Sequence, residues 1–598
     1  MAPKDRISEA FTADRLRAES CSLLARLPRA RTAREARRIL FDFCNRRQYE
    51  AAHHPASECA YYVVRDCARA LRGMFTERAE QLAGCSMAAA LWDIARGRAR
   101  DVLTPAFFAD AHYLLAGLEG RGRLNERLIE MQPIGASGRA AAIARSIELD
   151  RLWGDVERWM TRYADGLSEV SRARRAARRA RVLAALGGGE ADWDDWRWQF
   201  RHVLTDPDRL ASAVTLRPDE AAAVRAAADA RLPFGVTPYY AALMDDDPDA
   251  GRDRPVRAQV LPPPEYVREM AAHAGDRECR FDFMLEHDTS PVDLVTRRYP
   301  AIAILKPFNT CPQICVYCQR NWQIERPLAP DALAPWTVIE AACAWIGAHP
   351  AIREVLVTGG DPLAMDDAPL LRVLERVAAI PSVDLIRIGT RVPVTAPMRI
   401  TDALADRLGA LRIPGVRDVA LVTHVEHPYE VTPELAAAVD RIRRRGIGVY
   451  NQLVFTFHVS RRFEAARLRL LLRRIGVDPY YTFMPKGKDE TAAYRVPLAR
   501  LLQEQKEEAR LLPGLRRADE AVINLPGLGK NNLRAAQHRD LLAVAPDGAR
   551  IYEFHPWEKN IVRRKSYVGR DVPILDYLLR LAAVGEDPAD YEGLWYYF

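Results

Sequence analysis

Between residues 301 and 487 the chain alternates a short β-rich run with a helical stretch six times. The runs are "AIAILKPF" (301–308), "REVLVTGG" (353–360), "VDLIRIGT" (383–390), "DVALVTHV" (418–425), "GVYNQLVFT" (448–456) and "DPYYTFMPKG" (478–487). Intervening segments such as "APWTVIEAACAWIGAHP" and "PELAAAVDRIRRRG" carry apolar residues at helical spacing. Parallel neighbours need a crossover, usually a helix, so the alternation predicts an α/β fold with a partial parallel (β/α)6 barrel. In such barrels chemistry collects at the C-terminal ends of the strands. The unusual residues fall there. Three cysteines follow the first run, "TGGDP" (358–362) ends the second, "GTRVP" (389–393) the third and "THVEH" (423–427) the fourth. Asn451 and Gln452 lie within the fifth, and "MPKGK" (484–488) ends the sixth.

The rest of the chain has a different texture. Residues 1–190 read as helical, with 33 Lys and Arg against 24 Asp and Glu, about +9; the remainder carries 54 against 56, about −2. "GGGE" (187–190) reads as a linker. The expected organisation is a basic helical extension (1–190), a second helical region (191–295), the barrel (296–490) and a C-terminal region (491–598). The extension's arginines are expected on the solvated faces of a bundle. A basic helical segment could bind nucleic acid or an acidic surface, but this one carries no zinc-finger or RNA-recognition pattern, so a nucleic-acid partner is the lesser expectation and a partner protein or nucleic acid stays open. The N-terminal "MAPKDRISEAFTADRLRAES" has no apolar leader core, and no apolar run reaches about 18 residues, so a cytoplasmic protein without a membrane span is expected. Ten cysteines without a framework pattern fit a reducing compartment. Only 8 of the 87 basic residues are lysines. A lysine amine can deprotonate and form a Schiff base where arginine cannot, so each lysine draws notice.

Cys311, Cys315 and Cys318 stand in "CPQICVYCQR" with spacing C-x3-C-x2-C. Three buried thiols, or a zinc site with a distant fourth ligand, are the plain alternatives. A [4Fe–4S] cluster is usually held by four cysteines, so three leave one iron open. The spacing, with Tyr317 before the last cysteine, resembles the radical S-adenosylmethionine (SAM) superfamily. The resemblance implies a [4Fe–4S] cluster whose open iron binds SAM, and an electron donor such as flavodoxin or ferredoxin. "TGGDP" looks like the glycine motif of that superfamily, which implies that Gly359, Gly360 and Asp361 lie against SAM. Glycine there permits close backbone approach.

"NLPGLGKNN" (524–532) is not a phosphate-binding P-loop, because the G-x-x-x-x-G-K-[ST] spacing fails. Its Lys530 is open to two readings: a surface-loop lysine, or one that reaches pyridoxal 5′-phosphate (PLP). The region from about 192 to 568 resembles the lysine 2,3-aminomutase family. The resemblance rests on "WRWQFRHVL" (196–204), "TPYYAALMD" (237–245), "TRRYP" (296–300), "IRIGTRVPV" (386–394), "HVEHPYEVT" (424–432) and "PGLGK" (526–530). It implies that Lys530 binds PLP covalently, that Arg298 meets the PLP phosphate, and that Arg320 holds the substrate carboxylate. It also implies that Thr390, Arg391, His424 and Gln452 lie near SAM, and that the protein is a homo-oligomer. Two departures stand out. Ile302 replaces a second family arginine, and no cysteine follows Cys343, so a cysteine-based C-terminal metal site is missing.

The same resemblance bears on the substrate. Where lysine-acting members have two aspartates, this chain has Lys486 and Asn524. A cationic side chain would face like charge, whereas a carboxylate would gain a charge-assisted hydrogen bond. The pair is similar to that of glutamate 2,3-aminomutases. The expectation is therefore an isomerase that interconverts L-glutamate and β-glutamate (3-aminoglutarate). The alternatives are another amino acid such as aspartate or glutamine, a different outcome such as elimination or epimerisation, or a non-catalytic binding protein. For Lys486 alone, a solvent-facing loop lysine is the plain alternative, and Lys488 is expected to add positive potential.

Overall fold

The structure, a computed structural model, describes residues 10–54, 57–122, 128 and 137–598. The first nine residues of the stretch read above for a leader core lie outside it. All six expected strands are present: β2 (Ile302–Phe308), β3 (Glu354–Gly359), β4 (Leu385–Gly389), β5 (Asp418–Thr423), β6 (Gly448–Val454) and β7 (Asp478–Phe483), counted after β1 (Val295–Tyr299). With β8 (Glu520–Leu525) and β9 (Gly529–Asn532) they form one nine-stranded sheet whose order follows the chain. β2 to β8 pair in parallel, and β1 and β9 are antiparallel to their neighbours. The helices Trp336–Gly347, Asp367–Ala378, Asp402–Ala410, Pro433–Arg444, Glu464–Arg474 and Leu498–Leu511 make the six crossovers.

Local chemistry starts these helices cleanly. Thr401 and Thr432 accept N-terminal amides from Leu404 and Leu435 at 3.1 and 3.0 Å, and Pro433 occupies a first-turn position. Side-chain alternation then gives the sheet two unlike faces. Ala303, Val355, Ile386 and Val419 pair across four strands and are fully buried. The alternate residues Ile304, Lys306, Leu356, Arg387 and Gln452 stay half-buried on the opposite face. One face is dry and the other is open and polar, so the second is where ligands can sit. The two edge strands approach one another: the Lys530 N–H of β9 donates to the Tyr299 hydroxyl of β1 at 2.8 Å. The sheet is therefore nearly closed.

The α/β class agrees with expectation. The sheet is larger than the six strands read, because β8 and β9 come from beyond residue 490 and extend it. "EAVINL" is only six residues long, and its role as a strand depends on pairing with β7.

Helices alone make up the described part of residues 10–190. This bundle does not stand apart. A single hydrophobic core runs from Leu16 through the sheet to Tyr596. Within it, Pro105–Leu118 packs on a small antiparallel sheet of β10 (Arg539–Val544), β11 (Arg550–Phe554) and β12 (Tyr567–Arg570). Buried Asp110 takes both arms of buried Arg550, at 2.8 and 3.0 Å, and Tyr113 stacks on Trp595 with centroids 4.5 Å apart. The extension's described arginines lie on exposed or half-buried faces as expected, with two exceptions. Arg175 and Arg178 of the helix Glu169–Leu186 are buried. Arg178 donates to the Ala242 carbonyl (2.8 Å) and the Tyr429 hydroxyl (2.9 Å), and Arg175 reaches Glu434 at 3.4 Å. A planar guanidinium can satisfy several buried acceptors at once, which is why a basic helix can dock by its arginines.

Candidate active site

The cysteine loop leaves β2 and is braced from several sides. The Ile314 and Val316 amides donate to the carbonyls of Gly235 and Gln259 at 3.2 and 2.9 Å, and the Tyr317 hydroxyl donates to Gln259 Oε1 at 3.0 Å. Lys488 Nζ reaches the Cys318 carbonyl (3.0 Å), Asn321 Oδ1 (2.9 Å) and Glu490 (2.6 Å). Lys488, expected to add positive potential, is thus paired and spent on holding the loop.

Cys311, Cys315 and Cys318 are all free thiols. Cys315 Sγ accepts from Arg391 Nη1 at 2.9 Å, and Cys318 Sγ from the Arg320 N–H at 3.3 Å. Burial pushes the Cys311 thiol well above its usual value, with Asp361 and the other two cysteines adding to the rise. Among the described residues the only three potential metal ligands whose donor atoms fall within 4.8 Å of one another are Asp540, Glu553 and His555. At least one pair of the three thiols is therefore farther apart than the roughly 4 Å expected between sulfurs on one tetrahedral ion. Three free thiols so spaced, with basic hydrogen-bond donors, fit a multi-iron cluster better than a lone zinc.

The glycine motif packs directly on this loop. A side chain on Gly360 would meet the Thr310 backbone oxygen at 2.1 Å, and Gly359 lies at φ +115° against Lys306. Asp361 ties the ends of β3 and β4 together: it accepts from the Thr390 hydroxyl (2.6 Å) and the amides of Arg391 (2.7 Å), Leu363 (3.0 Å) and Val392 (3.2 Å). His424, past β5, lies 3.7 Å from Glu426, and Gln452 stands on the open face of β6. Neither side chain hydrogen-bonds to the other expected site residues among the described residues.

Lys530 sits just past the turn between β8 and β9. Gly527 and Gly529 have φ of +70° and +78°, and a Cβ on Gly529 would meet the Tyr299 hydroxyl at 2.7 Å. The Lys530 amine lies 5.1 and 5.0 Å from the ring centroids of Tyr299 and Tyr481. Burial, then the charges of Arg387 and Arg298, lowers it to about 8. Asn524 is directly opposite in the antiparallel register, so its side chain leaves the sheet on the same face. Arg387, which the sequence reading missed as an individual residue, pairs with Glu354 at 2.8 Å and donates to the Tyr480 hydroxyl at 2.6 Å. Arg298 Nη2 and Arg387 Nε are buried without a hydrogen-bond partner. A nucleophilic amine of low pKa beside two guanidiniums with unused donors fits PLP, an aldehyde that carries a phosphate.

A second group of charges surrounds Glu286, in the loop before β1. Its Oε1 accepts from Lys306 Nζ and from Arg320 Nη1 (2.7 Å), and its Oε2 lies 4.0 Å from Arg298. Burial raises a carboxyl, but Arg320, Lys306 and Arg298 outweigh it and hold Glu286 below its usual value. Lys486 donates to Gln319 Oε1, beside Arg320. Burial drives the Lys486 amine well below the usual lysine value, with Lys488 and Arg298 reinforcing the shift. A cavity of about 460 Å³ opens here, lined in part by Arg277, Lys306, Asn309, Arg320 and Trp322. Sequence reasoning missed Glu286 and Lys306. The rarity of lysine could have flagged Lys306; nothing local marks Glu286.

The structure thus joins the cysteines, the glycine motif, Asp361, Thr390 and Arg391 in one hydrogen-bonded rim. Arg298 and Arg320, which both face Glu286, and Lys486, whose amine feels the charge of Arg298, lie close by, and Arg298 also lowers the Lys530 amine.

No family model matches the chain. It is 40% identical over 595 residues to an uncharacterized KamA family protein of Methanocaldococcus jannaschii, covering 96% of this chain and 95% of that one. It is 32% identical over 310 residues to a glutamate 2,3-aminomutase of Clostridioides difficile, covering 52% and 69%. It is also 32% identical over 372 residues to an L-lysine 2,3-aminomutase of Bacillus subtilis, covering 61% and 73%.

Proposed function

The chain belongs to the KamA family of lysine 2,3-aminomutase-like proteins, and on that premise we propose that it is a radical SAM, PLP-dependent amino-acid 2,3-aminomutase acting on L-glutamate. The relatives named as glutamate and lysine 2,3-aminomutases support the reaction type. One observation carries the choice of substrate. Arg298, Lys306 and Arg320 face the Glu286 carboxylate, with Lys486 within its field and Asp282 a second carboxylate acting on Arg298, so positive groups outnumber negative ones here. An amino acid with a second carboxylate supplies negative charge; one with a second ammonium adds like charge in a low-dielectric pocket.

Cys311, Cys315 and Cys318 would hold the cluster, Lys530 and Arg298 the PLP, and the rim from Gly359 to Gln452 the SAM. When bound, these groups supply one-electron hydrogen abstraction at C3 and a conjugated system across which nitrogen moves from C2 to C3. The chain's own residues do the positioning. Arg320 holds the α-carboxylate, while Lys486 and Asn524 hold the side-chain carboxylate. Lys530, at a pKa of about 8, has a neutral fraction able to attack the PLP aldehyde near neutral pH. Tyr299 and Tyr481 flank that amine and keep water from it.

The test is anaerobic. The protein is reconstituted with iron, sulfide and PLP, given SAM and a reductant, and offered L-glutamate, L-aspartate, L-glutamine and L-lysine in parallel, with products read by NMR. β-Glutamate formed from L-glutamate alone is the expected result. A β-amino product from another acid would keep the chemistry and overturn the substrate. SAM cleavage without any isomerisation would overturn the aminomutase reading.

A further inference from the structure

Lys306 is an interior-facing lysine on β2, in a chain that otherwise uses arginine for almost all its positive charge. It and Arg320 converge on the same oxygen of Glu286, and the Thr296 hydroxyl reaches that oxygen at 3.4 Å. A lysine and an arginine closing on one carboxylate oxygen make a formed receptor for a carboxylate. In this structure the occupant is the chain's own side chain. The receptor remains incompletely used, because Arg320 Nε is buried without a hydrogen-bond partner. It is also reachable, since the cavity of about 460 Å³ is lined by both Lys306 and Arg320.

We infer that the Glu286 carboxylate is an internal stand-in for the α-carboxylate of the substrate, and that Lys306 is a second substrate-binding cation alongside Arg320. This rests on the aminomutase reading. On binding, the substrate's α-carboxylate displaces Glu286 from Arg320 and takes contacts from both cations. Without substrate, Glu286 keeps two half-buried cations from standing unpaired, which would be costly. Substrate affinity is therefore set by an exchange of one carboxylate for another.

The test uses the full-length protein carrying its cluster and PLP. Binding is followed by the absorbance change of bound PLP, with L-glutamate and with its α-amide, which lacks the carboxylate at issue. Lys306→Met is expected to weaken L-glutamate binding roughly tenfold or more and to leave the α-amide nearly unmoved, with Lys306→Arg largely restoring affinity. Glu286→Gln, which removes the competitor and keeps the shape, is expected to tighten L-glutamate binding roughly tenfold. Iron content and Tm check that each variant is folded. Folded variants that leave the Kd of L-glutamate unchanged, or a folded Glu286→Gln that binds it more weakly, would overturn the inference. If the unmodified protein isomerises L-glutamate while these variants behave so, only this inference falls. If the unmodified protein binds no amino acid, the aminomutase reading falls with it.

Discussion

Lys530 shows how an environment makes a reagent. A free lysine is almost wholly protonated at neutral pH, but burial beside Arg387 and Arg298 brings this amine to about 8. The neutral form attacks, so capture of PLP by the cofactor-free protein should quicken as pH rises and level off above about 8. A stopped-flow absorbance series would check it, and a midpoint near the usual lysine value would contradict it. Lys530→Ala should abolish covalent PLP capture at any pH. Lys486 makes the complementary case. Lys486→Met should raise the KM for L-glutamate roughly ten- to hundredfold by removing a charge-assisted contact, and an unchanged KM would exclude Lys486 from the pocket.

The elements of the sheet act through their ends. β2, β3 and β4 finish side by side, and their loops interlock because Gly360 has no side chain and Asp361 spans two strand ends. An added Cβ would strike the Thr310 backbone, which cannot swing aside as a flexible side chain can. Gly360→Ala should therefore shift the cysteine loop, and iron bound after reconstitution should fall to roughly half or less. An iron assay on the folded variant decides; full iron loading would mean that the loop tolerates the shift.

The helical bundle packs into the same hydrophobic core as the sheet. Its core is continuous with the rest, and Asp110 is the carboxylate partner of the buried Arg550 guanidinium. Asp110→Ala would leave that charge uncompensated, at a cost of about 3–5 kcal/mol. A lowered Tm, with the bundle and the C-terminal sheet melting together, is the expected calorimetric result. A separate bundle transition would show that the two fold independently. Among the described residues no helix is long and apolar enough to cross a membrane.

Local patterns made much of this molecule legible. The period of two in the strands, the helical spacing between them and the cysteine spacing depend on neighbours a few residues apart. They announced the six strands, the rim on which the cysteines lie and the lysine in its glycine turn. Other features needed the chain to be folded. β8 becomes a strand by pairing with β7, and Arg178 becomes a buried tie only when Tyr429 and Ala242 meet it. Glu286 gains its meaning from Lys306 and Arg320, which lie 20 and 34 positions further along. Charge acts through distance in space, and that distance is set by packing between segments whose separation along the chain carries no record of it.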